Sequence, residues 1–187
     1  TPVKQLTSGD WEVTQVYGFD GKEVYFQAAK NSSVERQIYA VNLKGEMRTL
    51  INKVGVNNAR FSSNFKYLIN INSTVDQPYQ YVLFDNKGKQ VRVLEDNHEF
   101  AERMKEYNLA KKELVTITDP AFVLPDGTQL EMETWRILPP DFDPNKKYPV
   151  LIYVYGGPGH QTVMNSWNHS DYDWMQILAQ NGIICVS

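Results

Sequence analysis

The chain has 187 residues, 42% of them hydrophobic and 12% aromatic, which is enough for packed cores in one domain or two small ones and excludes a disordered segment. Its net charge of -3 and pI near 5.6, with basic residues scattered and never clustered beyond a pair, exclude the electrostatic footprint of a nucleic-acid binder. No apolar run approaches the roughly 18 residues that span a membrane. The opening at Thr1 carries no basic, apolar leader, the expectation for a cytoplasmic protein or one whose signal was removed.

Residues 1–94 read as short strands and turns without helical period. Trp11 to Tyr17 alternates large apolar and polar residues; Glu23-Val24-Tyr25-Phe26 follows the turn Asp20-Gly21-Lys22; Gln37 to Leu43 alternates again, and Lys44-Gly45 turns the chain into Met47 to Ile51. A second set follows at Ala59 to Ser62, Lys66 to Asn72, Tyr79 to Phe84 and Gln90 to Leu94. Tyr39 to Gly45 echoes Tyr81 to Gly88, with the two tyrosines 42 residues apart and Leu50 and Leu94 44 apart. A four-strand unit recurring at about 40–45 residues marks β-propeller blades. An antiparallel sandwich of eight strands fits the same pattern.

After Leu94 the grammar changes. Asp96 with Glu99 opens a helix that carries Phe100, Met104 and Tyr107 on one face. Leu114 to Val123 and Gln129 to Leu138 form a hairpin across Leu124-Pro125-Asp126-Gly127-Thr128, and Val150 to Tyr155 reads as a strand covered on both faces. Gly156-Gly157-Pro158 stops it with a tight turn. Tyr172 to Gln180 is helical, with Trp174, Ile177 and Leu178 on one face and Asn181-Gly182 as its stop; Ile183 to Val186 begins another buried strand. The domain division is therefore 1–94 and 95–187. Cys185, the only cysteine, reads as a small buried hydrophobe within that last strand.

These residues resemble the dipeptidyl peptidase IV branch of the prolyl oligopeptidase family of serine peptidases, over essentially the whole chain. Leu6-Thr7-Ser8-Gly9-Asp10-Trp11-Glu12-Val13 resembles a late propeller blade, and Val93-Leu94-Glu95-Asp96-Asn97 the passage into the hydrolase domain. Ile137-Leu138-Pro139-Pro140-Asp141-Phe142-Asp143, Lys146-Lys147-Tyr148-Pro149 and Val154-Tyr155-Gly156-Gly157-Pro158 follow in the family's order and spacing. The resemblance favours the propeller over the sandwich. It implies about two blades over 1–94, followed at 95–187 by the N-terminal part of an α/β-hydrolase sheet.

In that family Tyr155 would lend its hydroxyl to the oxyanion hole, a neutral donor aimed at the charge that develops in acyl transfer. His160, just after the turn, is a candidate for the substrate cleft. His160 and His169 lie nine residues apart with Asp171 and Asp173 nearby, but the spacing matches no usual metal motif, and they read as loop residues. Glu131 and Glu133 read as solvated charges on an edge strand, Asp141 and Asp143 as turn formers, and Trp135 and Trp167 as core. No serine has a glycine two residues before it, so the Gly-x-Ser-x-Gly nucleophile turn is absent.

The resemblance implies an enzyme that removes amino-terminal dipeptides after proline or alanine. In it the triad follows Ser187 and the acidic grip on the substrate's amino group precedes Thr1. The chain is then a fragment, inactive alone. Its implied partners are a peptide substrate, the remainder of the propeller and hydrolase domains, and a second copy through the hydrolase domain. No cofactor and no metal are called for, and the implied setting is periplasmic, secreted or anchored outside the cytoplasm. Rival readings are a non-catalytic binding module, a tripeptidyl or acylaminoacyl peptidase relative, and a carboxylesterase of the same fold.

Overall fold

The computed structural model describes residues 3–167 and 171–187, so His169 lies outside the described residues. The chain divides into two compact units, one of Thr1–Ala101 with Asn165–Trp167, the other of Glu102–Met164 with Asn168–Ser187.

The first unit holds two four-stranded antiparallel meanders. β1 (Val13–Phe19), β2 (Glu23–Ala28), β3 (Gln37–Asn42) and β4 (Met47–Ile51) form one; β5 (Val56–Phe61), β6 (Tyr67–Ser73), β7 (Gln80–Asp85) and β8 (Gln90–Glu95) form the other, each in sequential order. Their apolar faces meet in one core of Tyr25, Ile38, Ala40 and Leu50 from the first sheet and Ala59, Leu68, Val82 and Phe84 from the second. The other face of the first sheet buries Phe26, Ala28, Tyr39 and Val41 beneath Leu6 and Trp11. The first strand starts two residues later than the alternation suggests. Trp11 is instead folded back as a cover, its ring stacked 6.2 Å from Phe26.

Gly45 and Gly88, in equivalent turns, are 43 residues apart. Tyr39 therefore matches Val82, not Tyr81, and the 42-residue echo is one residue out of register. Such a slip exchanges every inward side chain for an outward one. With the corrected register, Tyr39 and Val41 on the outer face of the first sheet match Val82 and Phe84, which pack on the inner face of that sheet. The two sheets stack head to tail, front of one on back of the other, as propeller blades do. Two sheets facing each other as in a sandwich would bring matching residues together.

The blade core also buries amides. Asn57, fully buried, donates from Nδ2 to the carbonyls of Arg36 (2.9 Å) and Lys53 (2.6 Å). Its Oδ1 accepts from Asn70 Nδ2 at 3.0 Å, and its carbonyl accepts from Gln27 Nε2 at 2.6 Å. The Asn57 main-chain N–H also donates to Arg36 O at 2.9 Å, so side chain and main chain together satisfy these buried groups. Residues Asn165–Trp167 close the same end: Asn165 N donates to Val34 O at 2.8 Å, and Val56 N donates to Asn165 O at 3.1 Å.

Helix α1 (His98–Met104) starts where the acidic signal places it, with His98 N donating to Asp96 Oδ1 at 3.0 Å, but it buries none of its residues.

In the second unit β9 (Lys112–Val123), β10 (Gln129–Ile137), β11 (Val150–Ile152) and β12 (Ile184–Val186) form one sheet in the order β11-β12-β10-β9, and helix α2 (Tyr172–Gln180) lies in sequence between β11 and β12. β11 and β12 are parallel, as a helical crossover permits, while β12–β10 and β10–β9 are antiparallel. The core gathers Ala110, Trp135, Ile137, Tyr172, Met175, Ala179 and Cys185. In α2 the buried stripe is Tyr172, Met175, Gln176 and Ala179, the i, i+3, i+4, i+7 spacing, so Trp174 and Ile177 face outward. Gln176 earns its burial by exchanging two 2.8 Å bonds with the main chain of Ala110.

Two expectations change. β11 is covered on one face only: Leu151 and Tyr153 reach the core, whereas Val150, Ile152 and Val154 are exposed. Glu131 and Glu133 are solvated, but β10 is an inner strand and β9 is the edge. Along β10, pairing to β12 and its continuation at Ser187 reaches only Trp135 to Ile137, which leaves the distal half of β10 with β9 as its sole neighbour.

Candidate active site

β11 ends at Ile152, and its line continues as Tyr153 N donates to Val186 O at 2.8 Å. Beyond it the chain leaves the sheet at the carboxyl end of a parallel strand, where ligands bind in open α/β sheets. Alternation then decides the side chains: Tyr153 is drawn into the core, and Tyr155, two residues on, is 60% exposed.

Gly156 holds φ +71 and turns the chain at once. Gly157 lets the ring lie close, since a Cβ there would stand 2.9 Å from Cε1 of Tyr155 and push the ring aside. On the ring's other contact, His160 lies with its centroid 4.4 Å away at an interplanar angle of 47°. The structure thus brings the two singled-out residues, Tyr155 and His160, into direct ring contact.

The loop that carries His160 is pinned close by. The indole of buried Trp135 donates from Nε1 to Thr162 O at 3.0 Å, and the Thr162 and Ser187 hydroxyls are 2.8 Å apart. Trp135 N and Ser187 N in turn bond each other's carbonyls at 2.9 and 3.0 Å. Gln161 Nε2 reaches Val163 O at 2.8 Å. Sequence reading treats Trp135 as core packing alone. Its indole N–H, which a buried tryptophan must satisfy, is the signal that could have tied it to this loop.

Trp167 lies in the first unit, 6.3 Å edge-on from Phe100. Asp143 behaves as a turn former, its Oδ1 accepting from Asn145 N at 3.0 Å. Cys185 is buried, and desolvation pushes its thiol upward, away from the reactive thiolate. Among the described residues no three His, Cys, Asp or Glu side chains are grouped to hold a metal ion, and no helix is long and apolar enough to cross a membrane.

A family model described as the N-terminal region of dipeptidyl peptidase IV matches residues 1–79. A probable dipeptidyl peptidase 4 of Arthroderma benhamiae is 36% identical over 174 residues, covering 89% of this chain and 21% of that protein. A probable dipeptidyl-aminopeptidase B of Sclerotinia sclerotiorum is 37% identical over 192 residues, covering 97% and 20%. The crystal structure of Porphyromonas gingivalis dipeptidyl peptidase 4 superposes with a TM-score of 0.86 at 37% identity, over 98% of this chain and 25% of that one. The chain spans about a fifth of the length of these curated relatives. With a family model over residues 1–79, curated relatives and a solved structure in agreement, the chain is dipeptidyl peptidase IV-like.

Proposed function

We propose that these residues serve a serine exopeptidase that removes dipeptides from amino termini, with proline or alanine in second place, and that Tyr155 is the side-chain donor of its oxyanion hole. The observation that carries this is the exposed phenol of Tyr155 at the carboxyl end of β11, directly before the Gly156 turn. The parallel pair β11–β12 with α2 between supports reading 95–187 as the start of an α/β-hydrolase sheet, and the head-to-tail stacking supports reading 1–94 as propeller blades.

In the proposed reaction a serine hydroxyl adds to the substrate carbonyl while a histidine takes its proton. The carbonyl oxygen becomes an oxyanion, to which the Tyr155 O–H donates. Collapse expels the amine of the shortened peptide as the histidine returns its proton to that nitrogen, and water then hydrolyses the acyl-enzyme. The nucleophile, base and acid are supplied from outside these 187 residues, which contain no Gly-x-Ser-x-Gly. The chain alone is therefore inactive. The names of the fungal relatives support the dipeptidyl specificity, and the resemblance supports a setting outside the cytoplasm.

In the longer protein, Tyr155→Phe should lower kcat/KM on glycyl-prolyl p-nitroanilide by about 100- to 1000-fold, the usual loss for one oxyanion donor. The isolated 187-residue chain should take no label from a fluorophosphonate. Phenylalanine at position 155 with undiminished activity would remove Tyr155 from the mechanism, and labelling of the isolated chain would overturn its assigned inactivity.

A further inference from the structure

A phenol that stabilises an oxyanion must already point at it before charge develops, because reorientation during the reaction forfeits most of the gain. An exposed tyrosine beyond a strand end has no core to set its direction. Here the ring passes close over Gly157, which has no Cβ to push it aside, and lies against the imidazole of His160 at 4.4 Å. His160 itself is held two residues before Thr162, which the buried Trp135 and Ser187 both bond. A route thus runs from the core of the second unit through Thr162 to His160 and on to the phenol ring.

We propose that His160 is a positioning residue for Tyr155, acting through ring contact and not as a contact to the substrate. This rests on the oxyanion role of Tyr155 given above. A planar side chain at position 160 restricts the phenol to the orientation that suits the transition state, while the ground-state complex gains little from it. The signature of such a residue is a fall in kcat with KM kept.

The test uses the longer protein and glycyl-prolyl p-nitroanilide. His160→Ala should lower kcat on the order of tenfold with KM within about twofold of the parent. His160→Phe, which keeps a flat ring, should restore kcat to within about threefold. In a Tyr155→Phe background, His160→Ala should have no further effect, because two residues acting through one another are not additive. Unchanged melting temperatures would show that the exposed substitutions leave the fold intact.

A rise in KM with kcat kept would make His160 a substrate contact and overturn the proposal. An equal loss in the Tyr155→Phe background, or no loss from His160→Ala, would do the same. The Tyr155→Phe single variant separates the two claims. If it retains full activity, the oxyanion reading fails and this inference with it; if it loses activity while His160→Ala does not, only this inference fails.

Discussion

Asn42 and Asp85 do the same work in the two blades. Asn42 Oδ1 accepts from Lys44 N and Glu46 N at 2.9 and 3.0 Å, and Asp85 Oδ1 accepts from Lys87 N and Lys89 N at 2.9 Å each. Both side chains close the turn between the third and fourth strands, but only one of them titrates. The Lys89 N–H, then the Lys87 N–H and the charges of both lysines, hold the Asp85 carboxyl below its ordinary range. A depressed folded value gives stability that is present above the ordinary aspartate pKa and lost as pH falls through the folded one.

Asp85→Asn should therefore flatten part of the acid limb of stability below about pH 4 while leaving neutral stability almost unchanged. Urea midpoints measured from about pH 2 to about pH 7 would check this. Parallel curves for parent and variant would sink it.

The turn glycines separate strain from crowding. Gly21 (φ +95) has open space where a Cβ would go, whereas a Cβ on Gly88 (φ +84) would meet Leu50 O at 2.4 Å. Gly21→Ala should cost only the left-handed backbone term, about 1–2 kcal/mol. Gly88→Ala must also displace main chain of the other blade, for a total of roughly 2–4 kcal/mol. Equal losses in denaturant unfolding would show that the close approach to Leu50 carries no weight.

Asn57 is the polar anchor of the blade core. Asn57→Ala leaves the Lys53 carbonyl without its donor, strips Asn70 Nδ2 of its acceptor, and leaves Arg36 O with only the Asn57 main-chain N–H. Unpaired buried groups cost about 1–3 kcal/mol each, so a total loss of roughly 2–4 kcal/mol is expected. Asn57→Asp keeps the shape but removes both donations and adds a charge, and should be worse at neutral pH than below pH 4, by approximate aspartate titration. An alanine variant within about 1 kcal/mol of the parent in urea unfolding would contradict this account.

Much of this was legible in the sequence. Alternation and turn residues located the eight blade strands, and the family motifs singled out Tyr155 for the role proposed above. The register was not legible. Tyr39 and Tyr81 look equivalent as letters, yet the turn hydrogen bonds of Asn42 and Asp85 define the true match, and an error of one residue reverses faces. Composition also misjudged α2: Trp174 and Ile177 are more apolar than Gln176, but Gln176 is buried because its amide fits the Ala110 main chain. The contact between Tyr155 and His160 lay beyond sequence reading, since no periodicity describes a loop that folds back over five residues.

Lys112 gives the second unit an alkaline dependence. It is 6% exposed, with its ammonium 5.2 Å from the centroid of the Trp135 ring. Desolvation brings its pKa from the ordinary 10.5 down to about 8. Below the folded value both states are protonated and the penalty of burying the charge is fully present. Between the folded and unfolded values the unfolded chain binds more protons, so stability rises with pH, by at most about 3 kcal/mol. The contact with the Trp135 face favours the charged form and reduces that rise. Lys112→Met keeps the length of the side chain without its charge. It should stabilise the protein at neutral pH and abolish the rise, as read from urea midpoints by circular dichroism across the alkaline range. A Met variant that retains the parent's alkaline slope would show that another group carries it.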